Sequence, residues 1–303
     1  MSEERPLRPQ GDPPAEVPRQ RTIRRPVDLA GIGLHTGRPV RVRLGPAPPH
    51  TGIRFRRVDL PGAPEVRADL AAVQATARGV TLGAAPEATV ATVATVEHLL
   101  SAAAGLDVDN LLCEVDGPEL PALDGSARGF VEALRAAEPV EQEASAAVIE
   151  VGEATVAHGA GVARSAPGPA LEVTYVVDLP APLGRQVARY GPGVSYAEAI
   201  APARTWGFAE EAAALRARGL AHGASPDNVL VLGPEGYLTP PRFPDEPARH
   251  KLLDLLGDLA LLGARLRGRI AVERGGHALH LALARAIARR EAGPIADGAG
   301  GVA

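Results

Sequence analysis

A histidine and two aspartates at helical spacing are the residues of this chain best suited to chemistry. Residues 249–258 read Arg-His-Lys-Leu-Leu-Asp-Leu-Leu-Gly-Asp, which predicts a helix. At 3.6 residues per turn, His250, Asp254 and Asp258 lie on one face, and leucines cover much of the remainder. Buried imidazole and carboxylate groups need a partner, and a divalent cation held by His250 and Asp254 supplies one. Taken alone, the segment fits a solvated ion pair worth about 0.2–0.5 kcal/mol equally well.

A third metal ligand and a proton acceptor occur together in the segment Thr95-Val-Glu-His-Leu-Leu. His98 is the best third donor, because a catalytic zinc site takes three protein ligands and leaves a position for water. Glu97 precedes it and is placed to accept a proton from a water whose pKa zinc brings toward ~7. For these two residues alone, an ordinary helix end with an acidic and an imidazole side chain is an equally good explanation.

His277 follows two glycines in Arg274-Gly-Gly-His277, at the start of the last predicted helix. Glycines allow the backbone to approach a ligand closely, and an imidazole that titrates near neutrality suits a general acid for a leaving amine. A simple helix cap is the alternative. The remaining histidines, at positions 35, 50, 158, 222 and 280, lack such neighbours, except that His35 lies in a glycine-rich loop.

A metal held by two histidines and one carboxylate supports two kinds of reaction. The same donor set describes the facial triad of non-haem Fe(II) oxygenases, so an oxygenase is an alternative to a hydrolase. Glu97, adjacent to the proposed ligand His98, favours hydrolysis because it offers a base for the attacking water.

The elements expected to position these residues are strands followed by helices in each half of the chain. Strands are predicted at 21–29, 40–44, 52–56, 110–115, 148–151 and 171–177, and helices at 96–104, 127–137, 209–217, 247–262 and 281–289. Thr95 is the predicted N-cap of the first helix and Gly105 its left-handed C-terminal residue. This element order predicts an α+β fold.

A polar, weakly patterned stretch at 138–145 is the best candidate for a linker. We therefore expect domain I at 21–140 and domain II at 141–290. Residues 1–20, with five prolines among charged residues, predict a disordered extension, and residues 291–303 a flexible tail.

Composition excludes several classes of protein. The 303 residues carry a net charge of -4 and give a pI near 6.1, so there is no general attraction to nucleic acid or to an anionic membrane. Cys113 is the only cysteine, which excludes an intramolecular disulfide and a Cys-rich metal site. Without a run of about 18 apolar residues or a secretory signal, we expect no membrane span and a cytoplasmic location.

Eight short motifs follow one another along nearly the whole chain, from Arg21 to about Ala288. They are Gly33-Leu-His-Thr-Gly37, Thr51-Gly-Ile-Arg-Phe-Arg56, Thr95-Val-Glu-His98, Pro121-Ala-Leu-Asp-Gly-Ser126, Leu183-Gly-Arg-Gln186, Ala203-Arg-Thr205, Arg249-His-Lys251 and Gly275-Gly-His277. In this order they resemble the UDP-3-O-acyl-N-acetylglucosamine deacetylase family, the zinc enzymes of lipid A biosynthesis.

The resemblance implies a role for each matching residue. It implies that His98, His250 and Asp254 bind zinc, with ferrous iron as the alternative metal. It implies that Glu97 is the general base, that His277 protonates the departing sugar amine, and that Asp258 orients His277. Thr205 matches a hydroxyl donor to the oxyanion, and Lys251 and Arg274 match positions that meet the substrate's phosphates.

The resemblance also implies the substrate and the fold. The substrate would be an acylated UDP-N-acetylglucosamine, and the fold two β-α-α-β domains packed face to face in a sandwich, with small inserts. One insert would form an apolar passage for the acyl chain. Leu179 stands where an aromatic ring that stacks on uracil is common, and Trp206 where Phe is more usual. We expect a monomer. A catalytically degenerate protein that only binds the sugar nucleotide is the remaining alternative.

Overall fold

A computed structural model of the chain describes residues 17–84 and 91–291. Its strands are β1 (Arg19–Ile23), β2 (Val27–Ile32), β3 (Pro39–Pro46), β4 (Ile53–Arg57), β5 (Glu65–Arg67), β6 (Val73–Ala75), β7 (Thr81–Gly83), β8 (Thr92–Ala94), β9 (Leu111–Val115), β10 (Pro139–Ser145), β11 (Val148–Glu150), β12 (Ala154–His158), β13 (Gly161–Ala166), β14 (Leu171–Asp178), β15 (Arg185–Tyr190), β16 (Trp206–Phe208), β17 (Leu230–Gly233), β18 (Gly236–Tyr237) and β19 (Arg265–Glu273). Its helices are α1 (Glu97–Gly105), α2 (Arg128–Ala136), α3 (Tyr196–Ala199), α4 (Ala212–Ala217), α5 (Glu246–Leu259) and α6 (His277–Glu291). The predicted α+β class is confirmed.

The first large sheet has the strand order β2-β3-β9-β4-β5. Strands β2 and β3 form an antiparallel hairpin around the loop 33–37, and β4 runs parallel to β9. Along β3, residues Val40, Val42 and Leu44 are buried while the arginines between them are exposed. This alternation is what a strand with one buried face requires, and it fixes the register of the sheet.

The second large sheet has the order β12-β13-β19-β14-β15, and β11 also pairs with β19. Helices α5 and α6 pack against it, α5 along β14 and β15 and α6 along β12 and β13. Helix α1 packs against α5 and so joins the two halves of the chain. The core is mainly valine, leucine and alanine, as a chain with 3% aromatic residues must build it. Packing of two β-α-α-β domains face to face stays a prediction.

Several local predictions were wrong. The proposed linker at 138–145 is largely strand β10, which pairs with β1. Strand β1 begins at Arg19, inside the segment expected to be disordered, while residues 1–16 lie outside the described part of the chain. Helix α6 begins at His277, earlier than residue 281, and includes Glu291. The rest of the proposed tail, residues 292–303, also lies outside the described residues.

The capping of α1 also differs from prediction. Thr95 has a positive φ of 58° and its hydroxyl donates to Glu119, so it does not cap the helix. Gly105 is the last helical residue. A side chain there would collide with the ring of Tyr196, so close packing explains this glycine better than a left-handed turn does. Among the described helices, none has both the length and the apolar character needed to cross a membrane.

Candidate active site

Helix α5 carries a buried polar stripe along an otherwise apolar helix. His250, Asp254 and Asp258 are exposed by only 3%, 2% and 0%. The leucines on the other faces of the helix, at positions 252, 253, 255, 256 and 259, are buried in the core. This helix therefore has little contact with water. The predicted spacing therefore places one imidazole and two carboxylates on a face that is closed to solvent.

A close crossing of α1 and α5 brings His98 to this stripe. Gly257 makes the crossing possible, because a Cβ at that position would collide with the backbone carbonyl of Glu97. The ring centroids of His98 and His250 are 5.1 Å apart, with the rings nearly perpendicular. The ligating atoms of His98, His250 and Asp254 all lie within 4.8 Å of one another.

The lone pairs of these three side chains converge. Nδ1 of His250 donates to the carbonyl of Ala203 at 3.1 Å, which leaves its Nε2 as an acceptor facing Asp254 Oδ1 at 3.3 Å. Nε2 of His98 is 3.8 Å from the same oxygen. Lys251 donates to the other oxygen of Asp254 at 3.0 Å, and Oδ1 has no hydrogen-bond partner among the described residues. A divalent cation satisfies all three donors at once.

Burial and charge keep these groups in the protonation states that a metal requires. Burial, with a contribution from His250, lowers the pKa of His98 to about 3. Burial also lowers the pKa of His250. For Asp254 burial acts in the opposite direction, but His250 and Lys251 hold its pKa well below the ordinary value. Two neutral imidazoles and one carboxylate are the donor set of a zinc or ferrous site.

Glu97 lies beside these three side chains, in the first turn of α1. One oxygen accepts from the backbone N–H of Val80 at 3.1 Å, and the other is 3.8 Å from Nε2 of His277. Burial raises the pKa of Glu97 to about 7, with His277 opposing and Asp254 adding to the shift. A carboxylate with such a pKa accepts and releases a proton near neutrality.

His277 begins α6 and is held by Asp258. Its Nδ1 is 2.8 Å from Asp258 Oδ2, and its Nε2 points toward Glu97 and Asp254. Burial disfavours the imidazolium, but the charge of Asp258 and the hydrogen bond to it raise the pKa of His277 to about 9. The side chain is therefore a proton donor near neutral pH.

Comparison with known proteins identifies the chain's relatives. The family model described as LpxC, UDP-3-O-acyl N-acetylglycosamine deacetylase, matches residues 20–289. The chain belongs to this family. A UDP-3-O-acyl-N-acetylglucosamine deacetylase of Thermosynechococcus vestitus is 43% identical over 92% of this chain and 98% of its own length. Relatives with the same name from Bdellovibrio bacteriovorus, at 41% over 85% and 86%, and Nostoc sp., at 39% over 89% and 98%, are also similar.

The remaining residues singled out in this LpxC-family chain lie at different distances from the buried group. Lys251 contacts Asp254 directly and lies over the ring of Trp206, 5.9 Å from its centroid. Thr205 is two residues from Ala203, whose carbonyl orients His250. Arg274 is more remote: it is directed to the carbonyl of Ala160 and to Asp178 rather than to His98, His250 or Asp254.

Sequence reasoning missed two members of the buried network. The sequence places no residues suited to catalysis or metal binding next to His280. In the structure, its Nδ1 is 2.7 Å from Asp258 Oδ2 and its Nε2 is 2.7 Å from the hydroxyl of Tyr175. His280 follows His277 by three residues on α6, so both lie on one helix face. Because the sequence predicts the last helix only from residue 281, with His277 in the turn before it, both histidines fall outside the predicted helix and their shared face was missed.

Proposed function

We propose that the chain hydrolyses the N-acetyl group of UDP-3-O-acyl-N-acetylglucosamine, releasing acetate and a free amino-sugar nucleotide. This is the committed step of lipid A biosynthesis. One observation supports it most: ligand atoms of His98, His250 and Asp254 lie within 4.8 Å of one another, and Asp254 Oδ1 is buried without a hydrogen-bond partner among the described residues. Glu97 and His277, a base and an acid, lie beside these three side chains. The names of the relatives agree with this reaction.

The metal held by His98, His250 and Asp254 is proposed to be zinc, with ferrous iron as the alternative. When bound, such a cation acts as a Lewis acid that polarises the acetyl carbonyl and makes water a stronger nucleophile at neutral pH. The fit is chemical: two neutral imidazoles and one carboxylate suit zinc, and the buried Oδ1 of Asp254 needs a cationic partner.

Glu97 and His277 divide the proton transfers between them. Glu97 takes a proton from the attacking water, since its raised pKa makes it a base matched to neutral pH. His277 donates a proton from Nε2 to the amine as it departs. Asp258 stabilises the charged form of His277 through the bond at Nδ1.

Three further residues are proposed to act on the substrate's charges. Thr205 donates from its hydroxyl to the oxyanion that develops on the acetyl group. Lys251 and Arg274 attract the diphosphate, and Arg274 would have to exchange its contact with Asp178, at 3.3 Å, for a phosphate. A monomeric state and a cytoplasmic location also stay predictions.

Acetate release from the acylated UDP-sugar tests the proposal. We expect turnover that stops with a strong chelator and returns when zinc is added, since a metal held only by side chains is removed by a competing ligand and bound again from solution. The assay is run under anaerobic conditions and without an oxidised co-substrate, which an Fe(II) oxygenase would need. Binding of the UDP-sugar without acetate release would identify a degenerate binding protein, and oxygen-dependent turnover would identify an oxygenase; either result contradicts the proposal.

A further inference from the structure

The carboxylate of Asp258 is bound through one oxygen by two imidazole rings. Oδ2 is 2.8 Å from Nδ1 of His277 and 2.7 Å from Nδ1 of His280, both hydrogen-bond lengths. Its other oxygen has no partner within the described residues. The orientation of this carboxylate therefore depends on His280 as much as on His277.

Tyr175 completes the network on the far side of His280. Its hydroxyl is 2.7 Å from Nε2 of His280, and both side chains are fully buried. Tyr175 lies on β14, which packs against α5, the helix that carries Asp258. Tyr175 on the second sheet, His280 on α6 and Asp258 on α5 are thus linked by two hydrogen bonds of 2.7 Å each.

Chemistry fixes the direction of each hydrogen bond. A carboxylate only accepts, so both Nδ1 atoms that face Asp258 must carry a proton. A neutral His280 then has no proton on Nε2, and Tyr175 must be the donor there. Donors run from Tyr175 to His280 to Asp258, and bonds arranged in this way polarise and strengthen one another.

The glycine motif before His277 makes room for this arrangement. A Cβ on Gly275 would lie 2.7 Å from the hydroxyl of Tyr175 and 2.6 Å from a methyl group of Val272. Any larger residue would displace the tyrosine or the turn that leads to His277. The turn and Tyr175 are therefore packed against each other.

We propose that Tyr175 and His280 are positioning residues for His277. By holding Asp258 they keep Nδ1 of His277 donating to that carboxylate, which fixes the ring so that the N–H at Nε2 points toward Glu97 and the substrate. The inference rests on the proposed function insofar as His277 is the proton donor of the reaction. A purely structural pair would lower stability without changing the tautomer of His277.

Three substitutions separate positioning from packing. His280→Leu removes the donor, His280→Asn retains an N–H donor, and Tyr175→Phe removes only the hydroxyl. We expect kcat to fall about 10- to 100-fold in His280→Leu, the usual scale for a lost supporting hydrogen bond. His280→Asn should recover most of this loss and Tyr175→Phe should be intermediate, with KM and metal content unchanged in all three.

Tyr196→Phe is a matched control. It removes a buried tyrosine hydroxyl that is bonded to Ser101 at 2.7 Å, outside the Asp258 network. Its loss of stability should resemble that of Tyr175→Phe, since each substitution leaves one buried polar atom without its partner. Its kcat should equal that of the wild type.

The hydrogen-bonding state of His277 is also measured directly, from ¹⁵N chemical shifts of histidine-labelled, metal-free protein at a pH above its pKa of about 9, where the ring is neutral and its tautomer is defined. We expect a single Nδ1-protonated form in the wild type and in His280→Asn, and a mixture in His280→Leu. This measurement does not depend on turnover. Absence of acetate release by the wild type would therefore count against the proposed function, and an unchanged tautomer against the positioning role.

Two results would overturn the inference. One is a kcat within about twofold of the wild type in both His280→Leu and Tyr175→Phe, with unchanged ¹⁵N shifts. The other is an equal loss of kcat in Tyr175→Phe and Tyr196→Phe. Should His280→Leu fail to fold, Tyr175→Phe, which removes a single oxygen atom, decides the question by the same two measurements.

Discussion

At the scale of single residues, the site is defined by three side chains, His98, His250 and Asp254, whose lone pairs face one another with no proton between them. Asp254 Oδ1 faces the Nε2 atoms of His250 and His98 at 3.3 and 3.8 Å, and the three side chains are largely shielded from bulk water. Buried carboxylates without a partner are costly, by about 1–3 kcal/mol or more. The metal is therefore expected to contribute to stability as well as to the reaction.

Asp254→Asn tests that contribution. Zinc at about 1,000 times its Kd should stabilise the wild type by ~4 kcal/mol, and the variant should gain far less because a charged ligand is lost. The increase in Tm with zinc concentration measures the difference. Asp245→Asn, at the N-cap of the same helix, is the control and should keep the full zinc response. An equal response in Asp254→Asn would show that this residue does not bind the metal.

Glu97→Gln distinguishes the role proposed for Glu97, a general base, from that of a metal ligand. The amide keeps the shape of the side chain but cannot take a proton, so kcat should fall about 10²- to 10⁴-fold while the zinc-dependent increase in Tm is retained.

His277→Ala should lower kcat by ~10²-fold or more, because the residue proposed to protonate the departing amine is lost. Acetate release measures both. Near-normal turnover of either variant would remove that residue from its proposed role.

At the scale of elements, the spacing of the polar residues along α5 was readable from sequence, but the crossing of α5 with α1 was not. Helical periodicity placed His250, Asp254 and Asp258 on one face, because that depends only on local geometry. The depth at which α1 meets α5 depends on Gly257, whose partner is the backbone of Glu97, 160 positions earlier in the sequence. Nothing local in the sequence indicates that contact.

Among the strands, too, some features were readable from the local sequence and others depended on contacts with distant parts of the chain. The sequence of β10 predicts a linker because neither face of the segment is apolar. The strand is instead held by its pairing with β1 and by side-chain hydrogen bonds such as that from Asn110 to Gln142. Strand β19 was not predicted, although Gly268, Ile270 and Val272 alternate with exposed residues. Its four charged residues concealed a period of two that could have been found.

Gly257→Ala tests the helix crossing. Within a helix, alanine in place of glycine should stabilise by about 0.5–1 kcal/mol. Here the new methyl group meets the backbone of Glu97, which cannot rotate away, and such overpacking costs about 1–3 kcal/mol. We therefore expect a loss of stability and a larger loss of zinc affinity, since His98 moves with α1. Urea unfolding and zinc titration measure the two effects.

Gly45→Ala is the control, because a Cβ there meets only one atom at an ordinary distance of 3.6 Å. It should leave zinc affinity unchanged. A Gly257→Ala protein that is more stable than the wild type and binds zinc normally would show that the crossing tolerates a side chain.

At the scale of the whole molecule, the site exists only because the two halves of the chain pack together. Glu97 and His98 come from α1, and the other residues proposed to bind the metal or to transfer protons come from α5 and α6. Motif order along the chain predicted this set of residues, but the supporting network of Tyr175 and His280 depends on the packing of β14 against α5 and was not predicted. Residue types and local spacing are readable from sequence, whereas contacts between distant elements are not.

A buried ion pair joins the start of α5 to the chain before it. Glu246 is fully buried and accepts hydrogen bonds from the backbone and side chain of Arg204, at 2.9 Å in each case, and from the backbone of Arg242 at 2.6 Å. Arg242 in turn binds Asp124. Burial would raise the pKa of Glu246, but these bonds outweigh it and hold the pKa below its ordinary value of 4.5.

Glu246→Gln should therefore have an effect on stability that depends on pH. Near pH 7 we expect a loss of about 3–5 kcal/mol, since one partner of a buried pair is removed. Because the folded pKa is lower than the unfolded one, the carboxylate's contribution is complete above 4.5 and disappears as pH falls through the folded pKa. The difference between wild type and variant, from urea unfolding at a series of pH values, should shrink in that acidic range. Glu138→Gln, which removes exposed ion pairs with Arg24 and Arg25, should cost at most ~1 kcal/mol. A difference for Glu246→Gln that stays constant down to acid pH would mean that packing, rather than charge, fixes the start of α5.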